Sequence, residues 1–225
     1  MDGPGKFRPA GEPIGVTEGN FLQVSKPVCL SGGPVIWLRV VPNADPGRIW
    51  QVRELREAAT RPMVDLLPLD PGWQSLGYLR SYDGFAVYAS SLESPQIALD
   101  VVIVFTSGEV WAVDAWTLKC RDGENAILLR EEVLAAALGR YSAYLTKLGI
   151  NPPHRWIAGL QGVKDRGIII PRRPGTISLN PGPRGICLID NIICEGDHVA
   201  DRSPSQSLKP FFTKVFESCG VDRPE

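Results

Sequence analysis

Three aspartates in or beside consecutive predicted strands are the residues best placed to do chemistry. Asp83 comes directly before one strand-like run, and Asp100 and Asp114 lie within the next two. Carboxylates on adjacent strands can hold magnesium and support cleavage of a phosphodiester bond. Metal nucleases of the common acid-x-Lys type carry a lysine two residues after the second acid, whereas this chain has Trp111 and Trp116 in the corresponding positions. The alternative, in which Asp83 forms a turn and the other two aspartates pair with arginines or face solvent, therefore stays open.

A second candidate is a basic segment, rich in glycine and proline, whose only acid is Asp165. A loop of this kind can reach the phosphates of a nucleic acid. No aromatic residue is interleaved with its cations, so a base-stacking platform is not indicated, and a solvated hairpin is the alternative. The candidate nucleic-acid-binding residues are Lys164, Arg166, Arg172, Arg173 and Arg184.

A third candidate is a zinc site formed by Cys187, Cys194 and His198, because thiolate and imidazole are ligands that zinc prefers. The spacing differs from the tight Cys-x2–4-Cys knuckle of structural sites, and Cys187 lies in an apolar run where buried thiols are common. The chain has two histidines, His154 and His198, and both are predicted in loops. Each could act as a general base or simply be solvated or bonded to nearby backbone.

Familiar catalytic signatures are absent from the sequence. It contains no Gly-x4-Gly-Lys-Ser/Thr phosphate loop, no Gly-x-Gly-x-x-Gly opening a helix, no His-Glu-x-x-His and no Gly-x-Ser-x-Gly. The sequence therefore predicts no cofactor and assigns no catalytic residue, and the common nucleotide-binding, zinc-protease and hydrolase classes lack support.

Bulk composition predicts a cytoplasmic protein. The 24 basic and 25 acidic residues nearly cancel, so no global field draws the chain to nucleic acid or to an anionic membrane. No window approaches the roughly 18 apolar residues of a membrane span, and the N-terminus lacks the apolar region of a signal peptide. Five scattered cysteines, in a chain long enough to bury roughly 70% of its unfolded surface, favour reduced thiols.

The apolar pattern predicts an α+β fold. Strands are predicted at Val35–Val41, Gly84–Ala89, Ile97–Thr106, Glu109–Lys119, Trp156–Leu160, Ile168–Ile170 and Ile186–Ile193. Helices are predicted at Ile49–Ala59, at Arg130–Leu148 and around a closing stripe of Phe212, Val215, Phe216 and Cys219. Hairpins and short links between these elements favour a mainly antiparallel sheet flanked by one long and one or two shorter helices.

The same pattern divides the chain in two. Residues 1–34 are rich in glycine and proline and are predicted to be an extended arm or linker, which suggests that further chain lies upstream. Residues 35–225 are predicted to form a single domain. Most of the six tryptophans are expected in its core, and one or two left exposed would mark a protein-binding face.

Four segments carry a resemblance to a known family. They are Tyr82-Asp-Gly-Phe-Ala-Val-Tyr88, Gly108-Glu-Val-Trp-Ala-Val-Asp114, Leu138-Gly-Arg-Tyr-Ser-Ala-Tyr-Leu145 and Ile157-Ala-Gly-Leu-Gln-Gly-Val-Lys164. Over residues 35–221 the chain resembles the region downstream of the DNA-binding domain in bacterial AlbA_2, or Schlafen AAA-4, transcriptional regulators. The DNA-binding domain itself is not visible here, and the shared motifs are structural, so no functional residue is carried across.

The resemblance implies a cytoplasmic bacterial protein of regulation or defence. This part of it would serve as a sensor, a dimerisation unit or a protein-interaction module, and the partner would be another protein, an upstream domain of the same polypeptide or a second copy. The alternative hypothesis is a metal-dependent module that binds or processes nucleic acid with the three aspartates and the basic segment.

Overall fold

The computed structural model describes residues 29–59, 65–70, 75–80, 83–118, 125–169 and 185–224. The described strands are β1 Cys29–Leu30, β2 Val35–Pro42, β3 Ser75–Arg80, β4 Gly84–Ser90, β5 Ile97–Phe105, β6 Val110–Asp114, β7 Ala126–Leu128, β8 His154–Gln161, β9 Gly167–Ile169, β10 Gly185–Ile186 and β11 Ile192–His198. The described helices are α1 Val52–Ala58, α2 Glu131–Lys147 and α3 Pro204–Ser218.

Eight of these strands form one sheet, in the order β11-β8-β2-β6-β5-β4-β3, with β1 beside β5. Every neighbouring pair along that path is antiparallel, and the short β1–β5 pair is parallel. A smaller sheet has the order β10-β9-β7 and includes the parallel pair β7–β9. The prediction of an α+β fold with a mainly antiparallel sheet, one long helix and shorter helices is confirmed.

The main sheet is apolar on both faces. Alternate side chains of a strand point to opposite sides, so its continuous apolar runs supply both faces. One face, which includes Leu38 and Trp156, packs into the large core beneath α2 and α3. The other face carries a second cluster built around Tyr88, Val101 and Val113. β5 is an interior strand, as its unbroken apolar run predicts.

The long helix α2 forms where its apolar spacing predicts. Buried residues recur every three to four positions, including Leu134, Leu138, Tyr141 and Leu145. Glu131 and Glu132 lie in the first turn and Lys147 in the last, where they complement the helix dipole. Gly149 follows with φ +85°, the left-handed conformation that commonly ends a helix.

Helix α3 begins earlier than its apolar stripe indicates. The hydroxyl of Ser203 accepts the backbone N–H of Gln206 at 3.3 Å, and the Gln206 side chain accepts the backbone N–H of Ser203 at 3.2 Å. This reciprocal capping, with Pro204 at the first helical position, fixes the start of the helix.

The predicted strand Ile186–Ile193 is wrong. The chain leaves β10 after Ile186, turns, and starts β11 only at Ile192, because residues 187 and 188 bond elsewhere. Cys187 N–H donates to Arg166 O at 2.9 Å, and Leu188 N–H donates to Ser218 O at 3.1 Å at the end of α3. The second bond holds the turn against the helix terminus.

Two further boundaries differ from the sequence-based expectation. Strand β6 ends at Asp114 instead of Lys119, because the Asp114 carboxylate accepts the backbone N–H groups of Trp116 and Thr117, both at 2.6 Å, and so forms a turn. Residues 29–30 of the predicted arm form β1 and residues 31–34 connect it to β2, whereas residues 1–28 of the arm lie outside the described residues.

Candidate functional site

Asp100 and Asp114 form a buried carboxyl pair. They are directly opposite each other on β5 and β6, and both are fully buried. Asp114 accepts hydrogen bonds from two backbone N–H groups and from the Thr117 hydroxyl, the last at 2.5 Å. Asp100 Oδ2 accepts the backbone N–H of Asp70 at 2.7 Å, while Asp100 Oδ1 is buried and accepts no N–H or O–H.

Burial favours the protonated form of this pair. Burial, and then the neighbouring charge of Asp114, raise the pKa of Asp100 well above its ordinary value. Burial also raises the pKa of Asp114, but its bonds from Thr117 and Trp116 oppose that effect. Asp100 is therefore the member whose protonated form is more strongly favoured, and a proton on it would face the Asp114 carboxylate.

The short segment Asp65–Asp70 closes over this pair. The Tyr141 hydroxyl donates to Leu67 O at 2.8 Å, and Lys147 Nζ forms an ion pair with Asp65 at 2.8 Å. Arg130 pairs with Asp70, the same residue whose backbone N–H reaches Asp100. Helix α2 and the residue before it thus fasten this segment at several points, which keeps solvent from the two carboxyl groups.

Asp83 lies far from the other two aspartates. It precedes Gly84, which pairs with Phe105, whereas Asp100 pairs with Ala89 at the opposite end of β4. Asp83 and Ala89 are six positions apart along the chain, or about 20 Å in an extended strand. The structure brings together Asp100 and Asp114 and leaves Asp83 exposed. In the described ranges, no group of three or more His, Cys, Asp or Glu side chains could hold a metal ion.

The prediction that both histidines lie in loops is wrong. His154 opens β8, His198 closes β11, the two are opposite each other in the register, and both are buried. His154 Nδ1 lies 2.7 Å from Ser142 Oγ and its Nε2 lies 3.0 Å from Ile150 O. His198 Nδ1 lies 3.0 Å from Ser207 Oγ. Burial lowers the pKa of both rings.

The three residues of the proposed zinc site are each placed differently. Cys187 forms a disulfide with Cys219, and both residues are buried. Cys194 is a free, half-buried thiol on β11, and His198 bonds to Ser207. The expectation of reduced thiols is wrong for Cys187 and Cys219, because the turn after β10 brings one against the end of α3 where the other lies. A paired sulfur is not a zinc ligand.

The basic segment is described only in part. Arg172, Arg173 and Arg184 lie outside the described residues. Lys164 is exposed, and Arg166 Nε donates to Gly162 O at 3.0 Å. Nucleic-acid binding by this segment stays a prediction.

The structure reveals a surface that the sequence-based reasoning missed. Within residues 186–193, here termed the exposed aliphatic segment, the exposed fractions are 57% for Ile186, 68% for Leu188, 44% for Ile189 and 49% for Ile193. The signal in the sequence was Asp190-Asn191, a turn-forming pair that interrupts the apolar run. Among the tryptophans, Trp50 and Trp156 are buried as expected, whereas Trp116 is half-exposed.

None of the helices in the described ranges combines the length and the apolar character needed to cross a membrane. Comparison with protein-family models, with curated proteins and with solved structures finds no match to this chain.

Proposed function

We propose that this chain is a non-enzymatic accessory domain that binds another protein through its exposed aliphatic segment. The observation that carries the proposal is the exposure of Ile186, Leu188, Ile189 and Ile193 within eight consecutive residues. By the resemblance described above, the setting is a cytoplasmic bacterial regulatory or defence protein of the AlbA_2 or Schlafen-like type.

The perturbed ionisable groups support binding over catalysis. Asp100 and Asp114 are enclosed, lie opposite each other and accept hydrogen bonds from backbone N–H groups. Both histidines are buried and bonded to serines. A catalytic acid or base must reach a substrate proton, and these groups face neighbouring strands and helices instead.

The energetics of the exposed aliphatic segment also support binding. Burying one Leu or Ile side chain contributes about 1.5–3 kcal/mol relative to leaving it in water. The segment is also fixed in place, since the Cys187 disulfide and the bond from Leu188 N–H to Ser218 O attach it to α3. A partner would therefore meet apolar side chains on a backbone that is already ordered, which reduces the entropy lost on binding.

The test is sedimentation of the chain over a concentration series, alone and mixed with any upstream region that a longer form of the polypeptide contains. We expect a complex in one of these mixtures, and we expect Leu188→Asp combined with Ile193→Asp to abolish it. Leu92→Asp is the matched control, because Leu92 is 83% exposed and lies outside the segment. The absence of any complex, or a complex that survives the double substitution, would overturn the proposal.

A further inference from the structure

A pair of buried histidines joins two strands and two helices at one edge of the main sheet. His154 on β8 and His198 on β11 are cross-strand partners, so their Cβ atoms are about 4.5–5.5 Å apart. His154 bonds to Ser142 of α2, and His198 bonds to Ser207 of α3. The pair thus ties each helix to the strand beneath it.

The hydrogen bonds define a neutral state of His154. The carbonyl oxygen of Ile150 can only accept, so Nε2 of His154 carries the proton and donates it. In the neutral ring Nδ1 is then an acceptor, and the Ser142 hydroxyl donates to it at 2.7 Å. Adding a proton to Nδ1 turns this acceptor into a donor, so the Ser142 hydroxyl must reverse from donor to acceptor, and the ring then carries a buried positive charge.

The surroundings do not compensate a positive charge. Two positive groups act on His198, and both lower its pKa. One is His154 on β8, and the other is Arg202 in the turn before α3. Helices α2 and α3 present the uncharged Ser142 and Ser207. On β11, Glu195 alternates to the other face, where it pairs with Arg155. Among the described residues, no carboxylate is a cause of the pKa shift of either ring.

We propose that the His154–His198 pair is a pH-responsive joint, which releases β11 and α3 from the rest of the sheet in mildly acidic surroundings. Among the described strands β11 is an edge strand that pairs only with β8 in the main sheet, and α3 packs directly on it. The Cys187–Cys219 disulfide closes the chain around these two elements, so they separate as one unit. The joint does not depend on the binding function proposed above, although Ile193 of the exposed aliphatic segment lies on β11.

The direction of the effect follows from proton linkage. Because burial lowers the pKa of both rings in the closed state, an open state with solvated rings binds more protons below the ordinary histidine pKa of about 6.5. The closed state therefore loses stability as the pH falls from about 6.5 through the lowered pKa values. The opening equilibrium rises by up to about tenfold per pH unit for each histidine that gains a proton.

The experiment is hydrogen exchange of the full chain with mass-spectrometric readout at pH 7.5 and pH 5.5, corrected for intrinsic exchange rates. We expect protection of residues 192–218 to fall by more than tenfold, whereas β4 and β5 keep theirs. A variant with His154→Gln and His198→Asn, which retains hydrogen-bonding groups but does not titrate, should show no selective loss. Equal loss across the whole sheet, or selective loss that persists in this variant, would refute the joint.

A second measurement covers the case in which the double variant does not fold. Ring signals of the unmodified chain, followed by NMR during acidification, should titrate below the ordinary histidine range. In the single variant His154→Asn, the pKa of His198 should rise because the repelling charge of His154 is gone. Titration of both rings at or above the ordinary value would overturn the proposal.

Discussion

The indole ring of Trp37 on β2 occupies the space that a Cβ atom of Gly159 would fill on the neighbouring strand β8. The two residues are opposite each other in the register, and the ring lies over the glycine. Tyr88 covers Gly77 in the same way on β4 and β3. Glycine weakens a strand because it has no side chain to pack, and here a ring from the neighbouring strand supplies the missing contact.

We expect Gly159→Ala to lower the free energy of unfolding by about 1–3 kcal/mol, because the added methyl group must displace the Trp37 ring from a packed face. Urea unfolding followed by tryptophan fluorescence measures the effect. Gly32→Ala is the matched control, since a Cβ there meets no atom within 4 Å. If the two variants were equally stable, the ring would not be fixed over the glycine.

The two members of the carboxyl pair should respond differently to amide substitution. The raised pKa of Asp100 favours its protonated form, so Asp100→Asn should cost little, because the amide also offers a donor toward Asp114 and an acceptor for the backbone N–H of Asp70. Asp114→Asn removes a carboxylate that receives bonds from Trp116 and Thr117, and should cost about 2 kcal/mol. Urea unfolding at neutral pH compares them, and equal losses would contradict the assignment of the proton.

The carboxyl pair also predicts how stability depends on pH. The pKa of Asp100 is raised in the folded chain. The stability associated with this shift is therefore fully present below the unfolded pKa and is lost as the pH rises toward the folded pKa. As the pH rises above the unfolded value of about 3.9, the wild type should lose up to about 1.4 kcal/mol per pH unit relative to Asp100→Asn, until the folded pKa is passed. Unfolding curves at several pH values measure this difference. Parallel pH profiles for the two proteins would refute it.

Sequence patterns were sufficient to predict the elements that depend only on their own residues. The spacing of α2 and the unbroken apolar run of β5 each encode their own element. Strand β3 was missed because Gly77 lies at its centre, and that residue is accommodated only by a ring from the next strand. Strand β7 was missed because three residues, Ala126–Leu128, pair in parallel with a strand far along the chain.

The candidate site was predictable from the sequence only where it depends on the order of neighbouring strands. Consecutive strands placed Asp100 beside Asp114 correctly, but only the register shows that Asp83 is at the other end of β4. The histidines were expected in loops because prolines and glycines surround them in the sequence. Their burial depends on Ser142 and Ser207, which come from two separate helices, and no local pattern encodes such a pairing.

The disulfide between Cys187 and Cys219 should be measurable as stability. It closes a loop with a sequence separation of 32 residues, and cross-links over loops of this length contribute about 3–4 kcal/mol by restricting the unfolded chain. We expect dithiothreitol or Cys219→Ser to lower the urea midpoint, and non-reduced peptide mapping should recover the linked pair. Cys194→Ser is the control, because that thiol is free. Two free thiols at positions 187 and 219 without reductant would contradict the assignment.

Nuclease activity through the three aspartates is expected to be absent. Asp83 is about 20 Å along the sheet from a carboxyl pair that is buried beneath the Asp65–Asp70 segment, so the three groups do not share one metal ion. Labelled single- and double-stranded DNA and RNA, incubated with the chain and magnesium or manganese, should remain intact. Salt-sensitive binding in the same samples would implicate the basic segment, and Lys164→Glu, at an exposed position, tests that contribution. Metal-dependent cleavage that disappears in Asp100→Asn would show instead that the segment opens and that the pair is catalytic.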